Sequence, residues 1–323
     1  LKPEISILLP VRNGADFIYE SIASVLKQDH LNFELLISDD HSNDNTLAII
    51  NQFDDDRITV FKQSKGLGQF GNFNFLLKNA KAPIVQFWSH DDVMLPELVS
   101  TVLNFHQTHQ NLGMSYCGSN YINEAGEITI SWQDDQTPVV LNQLTYAQFS
   151  IAFGCLAGSI SQVSLNIKNI EGDFLFNENL KHSGDFELWT RIAKKYPVGF
   201  INTKLCLIRN HANQVTHRPV NTLHSILENI PILRELLSRL NAPDYFKQKV
   251  KREIVLVYYF NTAIKLLYNR EFKAFTTGLS ALAKEDNIFL LALYWAKSKA
   301  LGKAHFAKHK ASLIDQLFTP SDR

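Results

Sequence analysis

The first 110 residues alternate between short apolar runs and stretches with helical spacing, and no other feature restricts the fold of this chain as much. Residues 5–10 (ISILLP) form a near-continuous apolar run, the pattern of a strand buried on both faces of a parallel sheet. Residues 16–27 then place Phe17, Ile18, Ile22, Val25 and Leu26 on one helical face. A second strand, residues 33–37, ends in the polar cluster Ser38, Asp39, Asp40, His41 and Ser42. Asn43 or Asp44 is placed to cap a helix through Ile49, Ile50 and Phe53. Residues 58–61 read as a third strand, 72–80 as a third helix and 84–88 as a fourth strand that stops at Ser89, His90, Asp91 and Asp92. Pro96 fits the first turn of a helix reaching about residue 109. Alternation of this kind predicts a doubly wound, mostly parallel α/β sheet with helices on both faces. Ligands of such sheets bind at the carboxyl ends of the strands. Asp39, Asp40, Asp91 and Asp92 all fall there.

Residues 113–217 are less regular, with strands predicted over 114–117, 198–202 and 205–208, a turn at 123–126 and a helix near 185–195. Beyond Pro219 apolar residues recur at helical spacing over 223–240, 246–267, 272–282 and 289–301, punctuated by Pro231, Pro243 and Asn287. The expected division is a catalytic domain over 1–217 and an all-helical C-terminal region over 218–323. Balanced charge (Lys+Arg 32, Asp+Glu 32) argues against nucleic acid as a partner. Cys117, Cys155 and Cys206 match neither a disulfide framework nor a zinc site, and read as buried thiols in a reducing compartment. The first apolar run is too short for a signal peptide. No run approaches the ~20 apolar residues of a membrane span. A cytoplasmic protein is expected, at most lying on the inner face of a membrane.

Two acid pairs at strand ends suit Mg²⁺ or Mn²⁺ shared with a polyphosphate. Solvated loop acids or helix caps are the simpler alternative, and Asp44 reads as a cap. Gly66, Gly68 and Gly71 spell a literal G-x-G-x-x-G between a strand and a helix, with Asp91 20 positions beyond. That is the dinucleotide fingerprint, and it raises the alternative of an NAD-dependent oxidoreductase. Here, however, it follows the third strand rather than the first, and Lys65 and Asn72 flank a loop that serves equally as a tight turn.

Several segments, in order, resemble the family 2 glycosyltransferases of GT-A fold. They are residues 5–13 (ISILLPVRN), 24–28 (SVLKQ), 38–46 (SDDHSNDNT), the loop through Gly68, Asn72 and Asn74, 87–92 (FWSHDD), 184–191 (GDFELWTR) and 209–211 (RNH). The resemblance spans about residues 4–217 and leaves the helical region outside. It implies an inverting transfer of sugar from a nucleotide-diphosphate donor to a hydroxyl of a glycan or lipid-linked acceptor, in surface polysaccharide synthesis. Pro10 and Arg12 would line the nucleotide pocket, and Asp39 would accept a base N–H of pyrimidine type, favouring UDP or dTDP. Lys65, Asn72 and His90 join them as candidate donor contacts. Asp91 matches the last acid of the family's D-x-D motif and would bind the metal, with His211 as a further ligand. Asp185 is the candidate general base; the alternative for it is an N-terminal helix acid favoured by the dipole. Asp92, Glu187 and Trp189 are candidates for acceptor contact or loop support, and Trp189 reads equally as core.

Three positions depart from the family pattern. Ser89 replaces the first acid of D-x-D, Gly184 stands where a glutamate is common, and His41 replaces a glycine. The first puts metal dependence in doubt. It also admits a catalytically silent nucleotide- or carbohydrate-binding module. Lys297, Lys299, Lys303, His305, Lys308, His309 and Lys310 form a basic run among apolar residues. It reads as a peripheral contact with anionic lipid, or as a solvated face or oligomer contact.

Overall fold

The computed structural model describes residues 2–131, 137–212, 219–300 and 302–318. The expected boundary at 217/218, and the side chains of Lys303 and His305 in the basic run, lie outside the described residues. The chain divides into two compact units, each drawn from several segments. The first comprises Leu1–Asn142, Ala157–Asn179 and Arg191–Ala212; the second Gln143–Leu156, Leu180–Thr190 and Asn213–Arg323.

The first unit is built on one mixed sheet. Strands β1 (Ile5–Val11), β2 (Phe33–Asp39), β3 (Ile58–Lys62) and β4 (Ile84–Phe87) pair in parallel, in the order β3-β2-β1-β4. All seven residues of β2 are buried, including Glu34, which accepts from Ser6 Oγ at 2.6 Å. β3 lies at the sheet edge, and none of its five residues is fully buried. Three helices follow these strands: α1 (Ile18–Leu26), α2 (Thr46–Ile50) and α3 (Gly68–Asn79). A fourth, α4 (Leu98–Thr108), follows the short β5 (Val93–Met94). Ile18, Ile22 and Val25 of α1 join Leu98, Val99 and Val102 of α4 in a core with Ile5, Ile7, Leu9, Leu35 and Ile37, the residues on one face of β1 and β2. Phe73 of α3 meets Phe87 edge to face at 5.3 Å on the other.

The strand expected over 114–117 is longer, and other strands lack a signal in the sequence. β6 (Met114–Ile122) is nine residues long. β7 (Ile128–Ser131) pairs with it across a turn in which Gly126 adopts a φ of +83°. β8 (Val140–Leu141) is a two-residue edge. β9 (Val163–Asn166) inserts antiparallel between β4 and β6. The two strands expected over 198–208 are one, β10 (Val198–Arg209), whose register shifts between Ile201 and Cys206 as a bulge requires. Cys117 and Cys206 are buried free thiols with sulfurs 3.5 Å apart, whereas Cys155 is only half-buried, contrary to expectation.

The second unit is helical: α5 (Gln143–Phe153), most of α6 (Gly184–Ala193), α7 (Pro219–Ser238), α8 (Asp244–Val250), a π-helical turn (Lys251–Leu256), α9 (Val257–Tyr268), α10 (Phe272–Ala283), α11 (Ile288–Ala300) and α12 (Gly302–Phe318). Pro231 sits inside α7 and does not punctuate it. Lys251–Glu285 (2.8 Å) and Arg252–Asp286 (2.7 Å) tie the π-helical turn to the end of α10, and Trp295 Nε1 donates to Asn261 at 3.1 Å. Among the described residues no helix is long and apolar enough to cross a membrane.

Candidate active site

The carboxyl ends of β1, β2 and β4 meet at one edge of the sheet, and their loops are laced together by backbone donors. Asn13, in the left-handed region at φ 52°, donates its N–H to Ser42 Oγ at 2.9 Å, and Asn43 returns a bond to Asn13 Oδ1. Gly14 N–H reaches Thr46 Oγ1 at 2.8 Å. Asp44 accepts from Thr46 N and Ala15 N, and these bonds with the Thr46 hydroxyl hold its carboxyl below the usual range although burial opposes them. It closes the turn, in keeping with its reading as a cap.

Asp39 ends β2 fully buried. Its Oδ2 accepts from Ser42 N at 3.2 Å, whereas Oδ1 has no partner among the described residues. Asp40 accepts from the N–H groups of Leu67 (2.5 Å) and Gly68 (3.0 Å). This bears directly on the G-x-G-x-x-G loop. The N–H groups that would hold a pyrophosphate are already committed to Asp40, and Gly71 lies inside α3. Arg12 is exposed, and its guanidinium covers Gly66, where a Cβ would stand 3.0 Å from Nη1. Lys65 is exposed on the same loop and Pro10 half-buried at the end of β1. Asn72 is buried and pins α3 to β2 through Nδ2–H to Ser38 O at 3.0 Å.

Beyond β4, adjacent acids point to different surroundings. Asp91 accepts from Ser89 Oγ at 2.5 Å and lies 3.1 Å from His211 Nε2. Burial would raise its carboxyl, but the His90 charge and the bonds from Ser89 and His211 keep it below the usual range. Asp92 is pushed well above that range, first by burial and then by the charge of Asp91. Its oxygens are taken by Ser161 Oγ (2.6 Å) and Arg209 N (2.9 Å), so it supports the loop from within. His90 packs against Gly14, where a Cβ would stand 2.4 Å from its ring. Burial and the neighbouring His211 lower its pKa against the pull of Asp91 and Asp44.

Arg209 is the residue that sequence reasoning missed. It stood in the 209–211 motif without a role. Its side chain is 1% exposed and donates to Asp91 O (2.9 Å), Asn123 O and Glu124 O (3.0 Å each) and Glu20 Oε2 (2.6 Å), with Phe17 beneath the guanidinium. Phe17 also packs on His211, with ring centroids 5.0 Å apart.

Among the described residues no three His, Cys, Asp or Glu side chains form a metal cage. Asp91 and His211 offer two adjacent donors. That fits a cation whose remaining ligands are phosphate oxygens and water, the usual habit of Mg²⁺ and Mn²⁺.

In the second unit Asp185 lies in the first turn of α6 and accepts from Phe186 N at 2.8 Å. Burial raises its carboxyl pKa, Glu228 adds to that, and the Phe186 bond and His182 charge oppose it. Glu187 is half-buried, and Trp189 is buried at 1% exposure.

The chain resembles known proteins in sequence and in fold. Residues 6–160 match the family described as glycosyl transferase family 2. An uncharacterized glycosyltransferase of Rickettsia prowazekii, RP339, is 28% identical over 222 residues, covering 68% of each chain. The Escherichia coli UDP-Glc:alpha-D-GlcNAc-diphosphoundecaprenol beta-1,3-glucosyltransferase WfgD is 28% identical over 200 residues, 61% of this chain and 73% of its own. The crystal structure of S. aureus TarS 1-349 in complex with UDP-GlcNAc superimposes with a TM-score of 0.64 at 17% identity, covering 97% of this chain and 89% of that one. That last likeness is one of fold.

Proposed function

The chain is a family 2 glycosyltransferase, and from that premise we infer that it moves a sugar from a UDP-type donor to a hydroxyl of a lipid-linked glycan, with inversion, in the synthesis of a surface polysaccharide. The observation that carries this reading is the spare acceptor at Asp39. A buried carboxylate oxygen without a partner among the described residues, at the carboxyl end of a parallel strand, suits an imide N–H of a pyrimidine base. Strand β1 separates β2 from β4 in the sheet, so Asp39 and the Asp91 loop stand about 10 Å apart along the edge by strand spacing. A nucleoside diphosphate spans such an interval. The name of WfgD gives it a UDP-Glc donor and a diphosphoundecaprenol acceptor, which supports the same donor and acceptor classes here.

Residues 1–217 carry donor binding and catalysis in this reading, with Arg12, Lys65 and His90 about the donor. The helical region 218–323 meets the acceptor, a second copy or the inner membrane surface. Asp91 and His211 would hold Mg²⁺ or Mn²⁺, which when bound supplies positive charge against the leaving diphosphate. The acceptor hydroxyl attacks the anomeric carbon from the face opposite the nucleotide. Its proton passes to the Asp185 carboxylate as the carbon–oxygen bond to the diphosphate breaks. Burial keeps that carboxylate more basic than an exposed one, which suits proton abstraction near neutral pH.

Transfer from UDP-glucose to a lipid-diphosphate-linked GlcNAc tests the reading. Asp185→Asn should lose about 10²–10⁴-fold in kcat while UDP still stabilises the protein against heat. Undiminished transfer by that variant rejects Asp185 as the base. Stabilisation by NAD and not by UDP rejects the donor class.

A further inference from the structure

We propose that Glu228, on α7, is a positioning residue for Asp185, fixing the turn that carries it. The proposal rests on the reading of Asp185 as general base. Glu228 Oε1 accepts from Lys181 N at 2.8 Å, and Oε2 accepts from His182 N at 3.0 Å and Ser183 N at 2.8 Å. Three consecutive N–H groups thus converge on one carboxylate whose side chain is 9% exposed. They lead directly into Gly184 and Asp185. The first intrahelical bond of α6 runs from Glu187 N to Ser183 O at 2.9 Å, which makes Ser183 the residue that opens the helix. Its own hydroxyl has no partner among the described residues, so Ser183 does not itself cap the helix. The entry to α6 is held instead from a helix 40-odd residues downstream.

Backbone donors aimed at a charged acceptor make strong, directional bonds. They fix the φ and ψ of residues 181–183 and hence the direction in which Asp185 leaves the chain. Glu228 also acts on Asp185 through its charge. The charged groups facing Asp185 are His182 from the turn and Glu228 from α7; His182 favours the ionised carboxylate and Glu228 disfavours it. His224, one turn earlier on α7, lies 3.5 Å from Glu228 Oε1. A neutral cap would order the turn without affecting proton affinity, and here the ordering group is itself an anion.

The test is titration of Asp185 in the full chain by carbon-13 carboxyl NMR, assigned with Asp185→Asn, in wild type, Glu228→Gln and Glu228→Asp. In Glu228→Gln the Asp185 midpoint should move to lower pH, and kcat for transfer should fall at least tenfold with the KM for UDP-glucose little changed. Glu228→Asp keeps the charge but is one methylene short, so its Asp185 midpoint should stay nearer wild type while kcat still falls. Unchanged kcat in both Glu228→Gln and Glu228→Asp overturns the proposal and leaves Glu228 a stabilising helix cap, whatever happens to melting temperature; an unmoved midpoint with a lowered kcat in both restricts its role to orienting the turn. If Asp185→Asn keeps full activity, the base assignment fails instead. The Asp185→Asn variant separates the two outcomes because it leaves Glu228 in place.

Discussion

Asp91 and Asp92 are neighbours in the chain with opposite electrostatic fates, and the difference lies in what each one faces. Asp91 keeps its charge because His90, Ser89 and His211 compensate its burial. Asp92 sits deeper, feels Asp91 as a like charge, and has its oxygens committed to Ser161 and Arg209. Asp91→Asn should therefore cost about 10²–10³-fold in transfer, the usual loss of a charge-stabilising group, and abolish stabilisation of the UDP complex by Mn²⁺ in thermal melting. Asp92→Asn should change transfer by less than about tenfold, because a neutral amide replaces a carboxyl already driven toward its neutral form. Arg209 is the third member of this set. Replacing it by Ala frees Glu20 and leaves three carbonyls short of their donor. Glu20 is 57% exposed and falls back on water, so the cost is that of the carbonyls: denaturant unfolding should show a loss of about 1–3 kcal/mol, and Lys should recover only part of it because a single ammonium cannot reproduce the fork.

Among the elements, the start of α3 shows how a strand end can organise a loop that carries no regular structure. Asp40 holds the N–H groups of Leu67 and Gly68, two of the donors that a helix N-terminus leaves open. Asp40→Ala should free both, cost about 1–3 kcal/mol in denaturant unfolding, and weaken UDP binding by calorimetry as the Gly66 loop moves from beneath Arg12. The same contact explains why the glycine spacing misleads. Sequence shows which residues bracket a turn but not who satisfies its N–H groups. The parallel strands were legible because burial on both faces writes a nearly continuous apolar run, as in β1. The acids at their ends were legible because a polar cluster interrupts that run. By contrast, β5 and β8 are two residues each and carry no periodicity. α12 lacks a clear apolar stripe, so its sequence marks neither of its ends within the helical region. The contacts of Arg209 join residues 189 positions apart with Glu20 and 117 with Asp92, separations at which spacing carries no information.

Over the whole molecule, formal charge is zero, so the response of stability to pH is governed by a few groups whose environments change on folding. His106 is the best defined. It is 4% exposed between α4, β6 and β9, with Nε2 at 2.9 Å from Ser164 Oγ and 3.2 Å from Ser115 Oγ. Burial, with His109 nearby, lowers its pKa from 6.5 to about 4. An unfolded chain takes up a proton here near pH 6.5, whereas the folded one resists until about 4. Stability is therefore complete above the unfolded value and drains away as pH falls through this window, by about 3 kcal/mol at 1.36 kcal/mol per unit. His90, also lowered by burial, drains in the same sense. The carboxylates held low by hydrogen bonds or ion pairs, Asp44, Asp55, Glu285 and Asp286 among them, act in a different window. Their unfolded values are 3.8 for the aspartates and 4.5 for Glu285, so their contribution is lost below those points. Acid unfolding should accordingly begin with histidine and finish with carboxylates. Urea unfolding of wild type should weaken between pH 6.5 and 4, by less than His106 alone dictates, because the raised carboxyls of Asp92 and Asp185 act in the opposite sense. In His106→Gln, whose amide can still meet Ser164, that slope should flatten while the steeper loss below pH 4 remains. An equal slope in both proteins would assign the upper window to other groups.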